Sequence, residues 1–356
     1  MYDSPFDALV PFGWGPRVHA LFSDVLKRPG AMPGRVTRAE RDFCRVVADG
    51  GEVLARSHAR TGDTVPAVGD WVALREVERE LLIEAVVPRW SALVRADADT
   101  GNAQTLAANV DVVLVTAPTD RLSPARVERE LVLAWESGAQ PVVAVTKADL
   151  APGHVVDDLR ARLTTVDVIA TSVVTGEGID AIASRLAPNR TAVLFGPSGA
   201  GKSSLANALL GEERLAVRDV RERDHRGRHT TTWRELVVVP TGGVLVDMPG
   251  LRGLALGSVD EGLARAFDDI DAFAPLCRFS DCSHAAEPGC AVLAAIADGR
   301  LGPERLVSWR KLQREVSRRE PARRQEERAV GRQFARRARQ RRAQRPFDSR
   351  RRHDDA

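Results

Sequence analysis

The chain has 356 residues, 44% of them hydrophobic and 28% charged, a composition typical of a folded protein with two or three domains. No stretch approaches the ~18 uninterrupted apolar residues of a membrane-spanning helix, and the first residues lack the pattern of an export leader. Four cysteines are too few for a secreted disulfide framework, so we expect a cytoplasmic protein without a membrane partner.

Residues 1–34 are punctuated by Gly and Pro and are expected to form an irregular N-terminal extension. Residues 35–106 contain five short segments of β character separated by turn signals: "FCRVVAD", "GEVLARSH", "DWVALRE", "LLIEAVV" and "SALVRAD". This spacing predicts a small all-β barrel of OB type, a fold that often holds RNA or single strands. A purely structural barrel without a ligand is the alternative.

Residues 107–257 follow a different pattern. "VDVVLVTAP" is a continuous apolar run, as in a strand covered on both faces, and "SPARVERELVLAWESG" has helical spacing. Strand-like and helix-like segments then alternate through "PVVAVTKADL", "VVDDLRARLTT", "VDVIATS", "GIDAIASRLAP", "RTAVLFG" and "KSSLANALLG". This alternation predicts a doubly wound α/β sheet.

A glycine-rich loop follows the strand "TAVLF" and precedes a helix, and its sequence "GPSGAGKSS" matches the pattern of a phosphate-binding loop. Glycines let successive backbone N–H groups turn toward phosphate oxygens at the positive end of the helix. Lys202 is expected to reach the β- and γ-phosphates, and the Ser203 hydroxyl to bind Mg²⁺. The predicted nucleotide contacts here are Gly196, Pro197, Ser198, Gly199, Ala200, Gly201, Lys202, Ser203 and Ser204.

Two further segments are expected at the metal side of the nucleotide. Asp247 ends the apolar strand of "VLVDMPG", where it can hold Mg²⁺ through water, and Gly250 can donate its N–H to the γ-phosphate. In "RERDHRGRHTTTW", Thr231 or Thr232 is the expected hydroxyl ligand for Mg²⁺ and γ-phosphate. Taken alone, that segment is more typical of a solvated loop with β-prone threonines, and only its place between the other two motifs favours the switch interpretation.

The segment "TKAD", Thr146, Lys147, Ala148 and Asp149, predicts which base is bound. The Asp149 carboxylate can accept from both N1–H and the exocyclic amine of guanine, and the Lys147 stem can lie over the base. Thr146 stands where Asn is usual, and we expect it to lose the amide that ties this loop to the phosphate loop. Ser172 and the N–H of Val173 are expected near guanine O6.

The base-reading segments come before the phosphate loop, which is the G-protein order rotated along the chain. A parallel sheet tolerates this rotation because strands pair by position in space, with the old termini joined by a crossover helix near "GIDAIASRL".

A Cys/His cluster lies in residues 258–315, which are otherwise helical. Cys277, Cys282, His284 and Cys290 supply three thiolates and one imidazole, which suits one tetrahedral, structural Zn²⁺. Buried free thiols beside a surface histidine are the alternative. Cys44 lies in a strand pattern and is expected to be ordinary core packing.

The motifs "TKAD", "GPSGAGKSS", "GRHTTT", "DMPG" and "CRFSDCSH…EPGC" together resemble those of the circularly permuted ribosome-biogenesis GTPases of the RsgA (YjeQ/EngC) family. The resemblance implies an N-terminal OB barrel, a central GTPase and a C-terminal zinc domain. It also implies a monomeric GTPase that uses GTP with Mg²⁺, is stimulated by the small (30S) ribosomal subunit, and assists its late maturation alongside other assembly factors. Thr146 and the long Arg-rich C-terminus depart from the family pattern.

Leu251 follows "DMPG" where many GTPases place a water-orienting glutamine, so slow intrinsic hydrolysis is expected until a partner supplies or arranges the missing group. His229 is the internal candidate for activating water, with a solvent-facing loop histidine as the equal alternative. Two other functions stay open: an RNA-binding scaffold that holds guanine nucleotide without turnover, and an ATP-using kinase.

The C-terminus is strongly basic. Residues 303–356 contain 19 Lys and Arg against 8 Asp and Glu, a net charge of +11; because the whole chain carries +3, residues 1–302 carry −8. A basic segment on an acidic body predicts a polyanionic partner, RNA before membrane. Residues 316–356 are expected to be disordered when free and to contact rRNA phosphates, or else to serve only as a solubilising tail.

Overall fold

The computed structural model describes residues 6–40, 42–57, 64–96, 103–214, 234–247 and 259–317. A 3-10 helix (Asp7–Phe12) and helix α1 (Pro16–Phe22) come first. Between them the buried Trp14 packs edge-on against Trp71, with 5.5 Å between ring centroids. The expected irregularity is therefore wrong here, because Pro16 suits the first turn of a helix and the aromatic side chains are buried.

Five strands close into a barrel in the order β1-β2-β3-β5-β4, with β3 parallel to β5 and the other neighbours antiparallel. These are β1 (Ala31–Ala39), β2 (Phe43–Ala48), β3 (Gly51–Ser57), β4 (Trp71–Val77) and β5 (Glu80–Val86). Their inward side chains form one apolar cluster that includes Cys44, whose burial raises its pKa to about 11. The predicted OB-type barrel and the packing role of Cys44 are confirmed.

One of the five segments predicted as barrel strands was wrong. "SALVRAD" forms β6 (Ala92–Ala96), which pairs with β7 (Ala103–Ala108) outside the barrel. The missing strand is β1, which includes Pro33 and Gly34, residues that weaken a strand pattern. A Cβ at Gly34 would lie 2.5 Å from Val46 Cγ1, so the glycine allows close approach across the barrel.

The central part of the chain is the predicted doubly wound α/β sheet. Its order is β10-β9-β8-β11-β13-β12, parallel except for the antiparallel edge strand β12. The elements are β8 (Val112–Pro118), α2 (Pro124–Glu136), β9 (Gln140–Thr146), α3 (His154–Arg162), β10 (Asp167–Thr171), α4 (Ile179–Leu186), β11 (Thr191–Phe195), α5 (Lys202–Leu210), β12 (Glu235–Val238) and β13 (Val244–Asp247). Alternate residues of β8 enter the separate apolar cores on the two faces of the sheet.

Helix α4 is the predicted crossover. It leads from β10, at one edge of the sheet, past β9 and β8 to β11 in the interior. The strand that precedes the phosphate loop therefore lies in the middle of the sheet although it is the fourth of the six strands in the chain.

Residues 259–317, the last described range, contain four α-helices: α6 (Asp260–Ala266), α7 (Asp268–Asp271), α8 (Ala291–Ala297) and α9 (303–317). Helix α6 packs very close to α2 at Gly262. A Cβ added to this glycine would lie only 2.3 Å from the Val132 carbonyl oxygen. No helix within the described ranges is both long and apolar enough to cross a membrane.

Candidate nucleotide site and metal centre

The predicted nucleotide residues meet at one edge of the parallel sheet. Strands β8, β9, β10 and β11 end at Pro118, Thr146, Thr171 and Phe195. The first three ends lie side by side, and β11 ends beside Val115 of β8, so all four carboxyl ends lie toward the same edge of the sheet. The base-reading loop follows β9, the second base loop follows β10, and the phosphate loop follows β11. The crevice outside the carboxyl ends of parallel strands is where open α/β sheets bind ligands.

The phosphate loop has the backbone that its glycines predict. Gly196 has φ 153°, and a Cβ there would lie 2.2 Å from Thr116 Oγ1, so a larger residue would clash with the end of β8. Gly199 and Gly201 also have positive φ. The Lys202 ammonium, at the start of α5, donates to the carbonyls of Gly196 and Pro197 at 2.9 and 2.7 Å. It is thereby held along the loop on which phosphates are expected.

The remaining residues of this loop differ in how deeply they are buried. Ala200 is fully buried, Ser203 and Ser204 are half-buried in the first turn of α5, and Ser198 is exposed. Ser203 is therefore the second residue of α5, directly after the phosphate loop. Asp247 is the last residue of β13, and Val246 before it pairs with Val193 of β11.

The base-reading and phosphate loops are tied directly. Thr146 Oγ1 donates a 2.7 Å hydrogen bond to the carbonyl oxygen of Ala200, and both residues are buried. The expectation that threonine loses this tie was wrong, because its hydroxyl is already within reach of the phosphate-loop backbone.

Lys147 and Asp149 are presented at the surface of the same edge. Lys147 has a left-handed backbone, φ 58°, and its ammonium lies 2.8 Å from Asp120 Oδ2. That hydrogen bond lowers the pKa of Asp120, and the neighbouring charges of Lys147 and Arg121 act in the same direction. Ala148 is half-buried, and the exposed Asp149 lies in a 3-10 turn, Ala148–Leu150.

The second base loop is an ordered turn after β10. The buried Ser172 Oγ accepts from the N–H groups of Val174 and Thr175 at 3.2 and 3.3 Å, while Val173 is half exposed. Its hydroxyl therefore organises the loop, and the backbone N–H of Val173 remains the candidate contact for guanine.

Several predicted residues lie outside the described ranges. They are the candidate water-activating His229, the switch hydroxyls Thr231 and Thr232, Gly250 of "DMPG", Leu251 after it, and the basic segment from residue 318 onward.

A buried carboxylate near this site was missed in the sequence. Glu130 of α2 is 8% exposed, and burial raises its pKa to about 7, against the opposing charges of Arg126, Lys202 and Arg129. Glu130 lies one helical turn from other buried residues of α2, and this spacing could have indicated that it is buried. The sequence did not suggest burial because a glutamate on a helix ordinarily faces water.

The four predicted metal ligands converge. The candidate ligand atoms of Cys277, Cys282, His284 and Cys290 all lie within 4.8 Å of one another. His284 Nδ1 is 3.5 Å from the Sγ atoms of both Cys277 and Cys290, which are 3.9 Å apart. Ideal tetrahedral Zn²⁺ with ordinary bond lengths has S–N and S–S edges of about 3.6 and 3.8 Å. The donor set and spacing therefore fit such an ion.

The backbone around this cluster is held by groups that sequence reasoning assigned no role. Glu287 accepts from the N–H groups of Ser283, Ala285 and Ala286 at 3.0, 2.7 and 3.0 Å. The Arg310 guanidinium of α9 donates to the carbonyl oxygen of His284. The ligand loop is thus fixed both internally and to the last described helix.

Comparison with known proteins agrees with this arrangement. The model of the RsgA GTPase family matches residues 86–257. The small ribosomal subunit biogenesis GTPase RsgA of Streptomyces avermitilis is 45% identical over 327 residues, which cover 89% of this chain and 88% of that protein. Its namesake in Streptomyces coelicolor is 44% identical over 325 residues, 88% of each chain.

Two solved structures share the fold over nearly their whole length. YjeQ from Thermotoga maritima has a TM-score of 0.65 at 26% identity, with 80% of this chain and 98% of that chain covered. YloQ, whose structure is titled a circularly permuted GTPase, has a TM-score of 0.61 at 25% identity, with 83% and 98% covered.

Proposed function

The chain belongs to the RsgA family of circularly permuted GTPases, and from that premise we propose that it binds rRNA of the small ribosomal subunit late in maturation and leaves after hydrolysis. It is a GTP-hydrolysing enzyme of small-subunit biogenesis. The observation that carries the nucleotide-binding part of this proposal is the hydrogen bond from Thr146 to Ala200, because it joins a base-reading loop to a phosphate loop far along the chain; the ribosomal part is supported by the similarity to small-subunit biogenesis GTPases.

The proposed nucleotide contacts follow from the edge of the sheet. Asp149 would accept from the Watson–Crick edge of guanine, Lys202 would bind the β- and γ-phosphates, and Ser203 and Asp247 would hold Mg²⁺, which would supply charge neutralisation for the phosphates. The chain's own groups would orient the nucleotide. Thr231 or Thr232, together with Gly250, would complete the proposed site when GTP is bound.

We propose slow hydrolysis by the protein alone and faster hydrolysis on the small subunit, since Leu251 cannot orient water. The test is multiple-turnover phosphate release from GTP with and without purified 30S subunits, using Lys202→Ala as the inactive control. We expect 30S subunits to accelerate phosphate release by the wild type but not by Lys202→Ala. Nucleotide binding without stimulated turnover would instead favour an RNA-binding scaffold, and competition by ADP as strong as by GDP would contradict guanine specificity.

His229 is the proposed water-activating group, and its test is separate. If the imidazole acts during turnover, His229→Ala retains nucleotide binding but loses most of the 30S-stimulated rate. Equal stimulation in both proteins would assign His229 to an ordinary loop position.

The Cys/His cluster can bind a metal ion, and we propose that the ion is one structural Zn²⁺. Element analysis of the purified protein should find about one zinc per chain, falling when Cys290→Ser removes a ligand. Iron or no metal in the wild type would contradict the assignment.

The oligomeric state, the cellular location, the domain bounds and the rRNA contacts of the protein are also proposals. We propose a monomeric cytoplasmic protein with an N-terminal extension (1–30), an OB barrel whose strands lie in residues 31–86 in place of the predicted 35–106, a permuted GTPase (107–257), a zinc-binding helical domain (258–315) and a basic tail (316–356). The barrel, zinc domain and tail would contact rRNA, with GTP favouring the bound state. Co-sedimentation with 30S subunits in GDP and in a non-hydrolysable GTP analogue tests this, and equal binding in both would contradict nucleotide control.

A further inference from the structure

Three consecutive residues between the base-reading and phosphate loops make contacts that the motifs do not account for. Thr119, Asp120 and Arg121 form a single 3-10 turn immediately after β8, the strand that lies between β9 and β11. This Thr119–Arg121 turn lies directly between the loops that are proposed to hold guanine and phosphate.

The first two residues of the turn hold Lys147 from both ends. Thr119 Oγ1 donates to the Lys147 carbonyl oxygen at 2.7 Å, and Asp120 Oδ2 accepts from the Lys147 ammonium at 2.8 Å. Lys147 has a left-handed backbone, φ 58°, which a residue with a side chain adopts only when its surroundings hold it there. The turn therefore restrains both the backbone and the side chain of this lysine.

The third residue reaches the phosphate loop. Arg121 Nη2 donates to the carbonyl oxygen of Gly199 at 3.3 Å, and Arg121 Nε lies 3.6 Å from Asp120 Oδ1. Asp120 thus lies between two cations, Lys147 of the base-reading loop and Arg121 of its own turn, which contacts the phosphate loop. The resulting path from Lys147 through Asp120 and Arg121 to Gly199 is a second, half-exposed link beside the buried bond from Thr146 to Ala200.

We propose that Asp120 is a positioning residue of the nucleotide site, holding Lys147 ready for the guanine base while Arg121 couples that position to the phosphate loop. The inference rests on the proposed guanine-nucleotide function and adds residues outside its motifs. A lysine already fixed in its bound arrangement loses less conformational freedom when the nucleotide arrives, so complexes with the turn intact dissociate more slowly.

The experiment measures the rate at which N-methylanthraniloyl-GDP leaves the full-length protein after a chase with excess GDP. Asp120→Ala is expected to raise this rate about two- to fivefold, the range of an exposed ion pair, and Asp120→Glu to restore most of the slow rate. The matched control is Asp157→Ala on α3, which removes another exposed pair, 2.9 Å from Arg160, and should leave the rate unchanged.

A double-mutant cycle distinguishes positioning of Lys147 from a general structural effect. In the Lys147→Ala background, Asp120→Ala should have no further effect, whereas Arg121→Gln should still raise the rate about twofold because its partner is a phosphate-loop carbonyl. The effect of Asp120→Ala should also shrink between about 0.05 and 0.5 M salt, which screens exposed charges.

Two results would overturn the inference while leaving the proposed function intact. One is a normal rate in Asp120→Ala, and the other is the same acceleration by Asp120→Ala with and without Lys147. Failure of the wild type to bind the fluorescent guanine nucleotide at all would instead overturn the proposed function.

Discussion

Glu130 shows how one buried side chain can make this protein sensitive to pH. Burial raises its pKa to about 7 from the ordinary value of 4.5, so the folded chain keeps a proton that the unfolded chain loses between these pH values. The contribution of protonated Glu130 to the free energy of unfolding is therefore greatest below about pH 4.5. It decreases as the pH rises and is lost as the pH passes through 7.

We expect Glu130→Gln to remove this loss. Between pH 5 and pH 8 the free energy of unfolding of the variant should rise relative to wild type by about 1–3 kcal/mol, because an amide does not ionise. Urea unfolding of the nucleotide-free protein at both pH values measures the difference. Glu76→Gln, at an exposed position of β4, is the control and should show no such change; parallel pH profiles for Glu130→Gln and wild type would contradict the prediction.

Thr146 supports a second prediction at the scale of one residue. Thr146→Val keeps the shape but removes the hydroxyl, leaving the Ala200 carbonyl without its 2.7 Å donor. An unsatisfied buried acceptor costs about 1–3 kcal/mol, so we expect GDP affinity to fall roughly 5- to 150-fold if the cost is borne by the bound state. Isothermal titration with GDP measures it, and Thr146→Ser should stay near wild type. An unchanged dissociation constant for Thr146→Val would show that the tie does not support binding.

At the scale of elements, the contact between α2 and α6 decides how the C-terminal helices attach to the GTPase sheet. The Gly262 backbone N–H donates to Glu136 Oε2 at 3.0 Å, and its Cα faces the Val132 carbonyl. The glycine lies inside a helix, where it lowers intrinsic stability, so its benefit is the close approach of the two helices.

Gly262→Ala should force α6 away from α2. The added Cβ would lie 2.3 Å from a backbone oxygen that cannot move without disturbing α2, and overpacking of this kind costs about 1–3 kcal/mol. Thermal unfolding is the measurement. Gly50→Ala, where an added Cβ meets nothing within 4 Å, is the control, and equal midpoints for the two variants would contradict the packing argument.

Across the whole molecule, a buried ion network joins the GTPase sheet to the C-terminal helices. The fully buried Glu128 of α2 accepts from Arg162 of α3 at 2.8 Å and from Arg305 of α9 at 2.9 Å. Arg305 also binds Asp269 of α7 at 2.7 Å and lies 4.5 Å from the centre of the Phe267 ring. Removing one member leaves buried charge without compensation.

Glu128→Gln should therefore destabilise the molecule by about 3–5 kcal/mol, far more than the loss of a surface pair. Chemical unfolding measures the total, and hydrogen exchange should show that protection falls in α2 and α9 together. Asp167→Asn removes the exposed pair with Arg185 and serves as the control. Loss of protection confined to α2 would mean that the network does not join the two parts.

Much of the site was predictable because its chemistry is local in sequence. The glycines of the phosphate loop, the carboxylate of "TKAD" and the spacing of three cysteines and a histidine each encode a geometry within a few residues. Thr146 was misjudged because the loss of an amide can be read from sequence, while the nearness of the Ala200 carbonyl cannot. Asp120, Arg121 and Glu130 were missed because charged residues beside a strand or on a helix ordinarily face solvent.

The chemistry that this chain can carry, the alternation of strands and helices in its central sheet, and the rotation of its motifs could all be predicted from the residues alone. The three-dimensional fold was needed to show that β1 and not β6 closes the barrel, that Asp120 meets Lys147, and that Glu128 lies between two arginines. The physical reason is that periodicity and turn residues report interactions a few positions apart, whereas these pairings join segments brought together by packing.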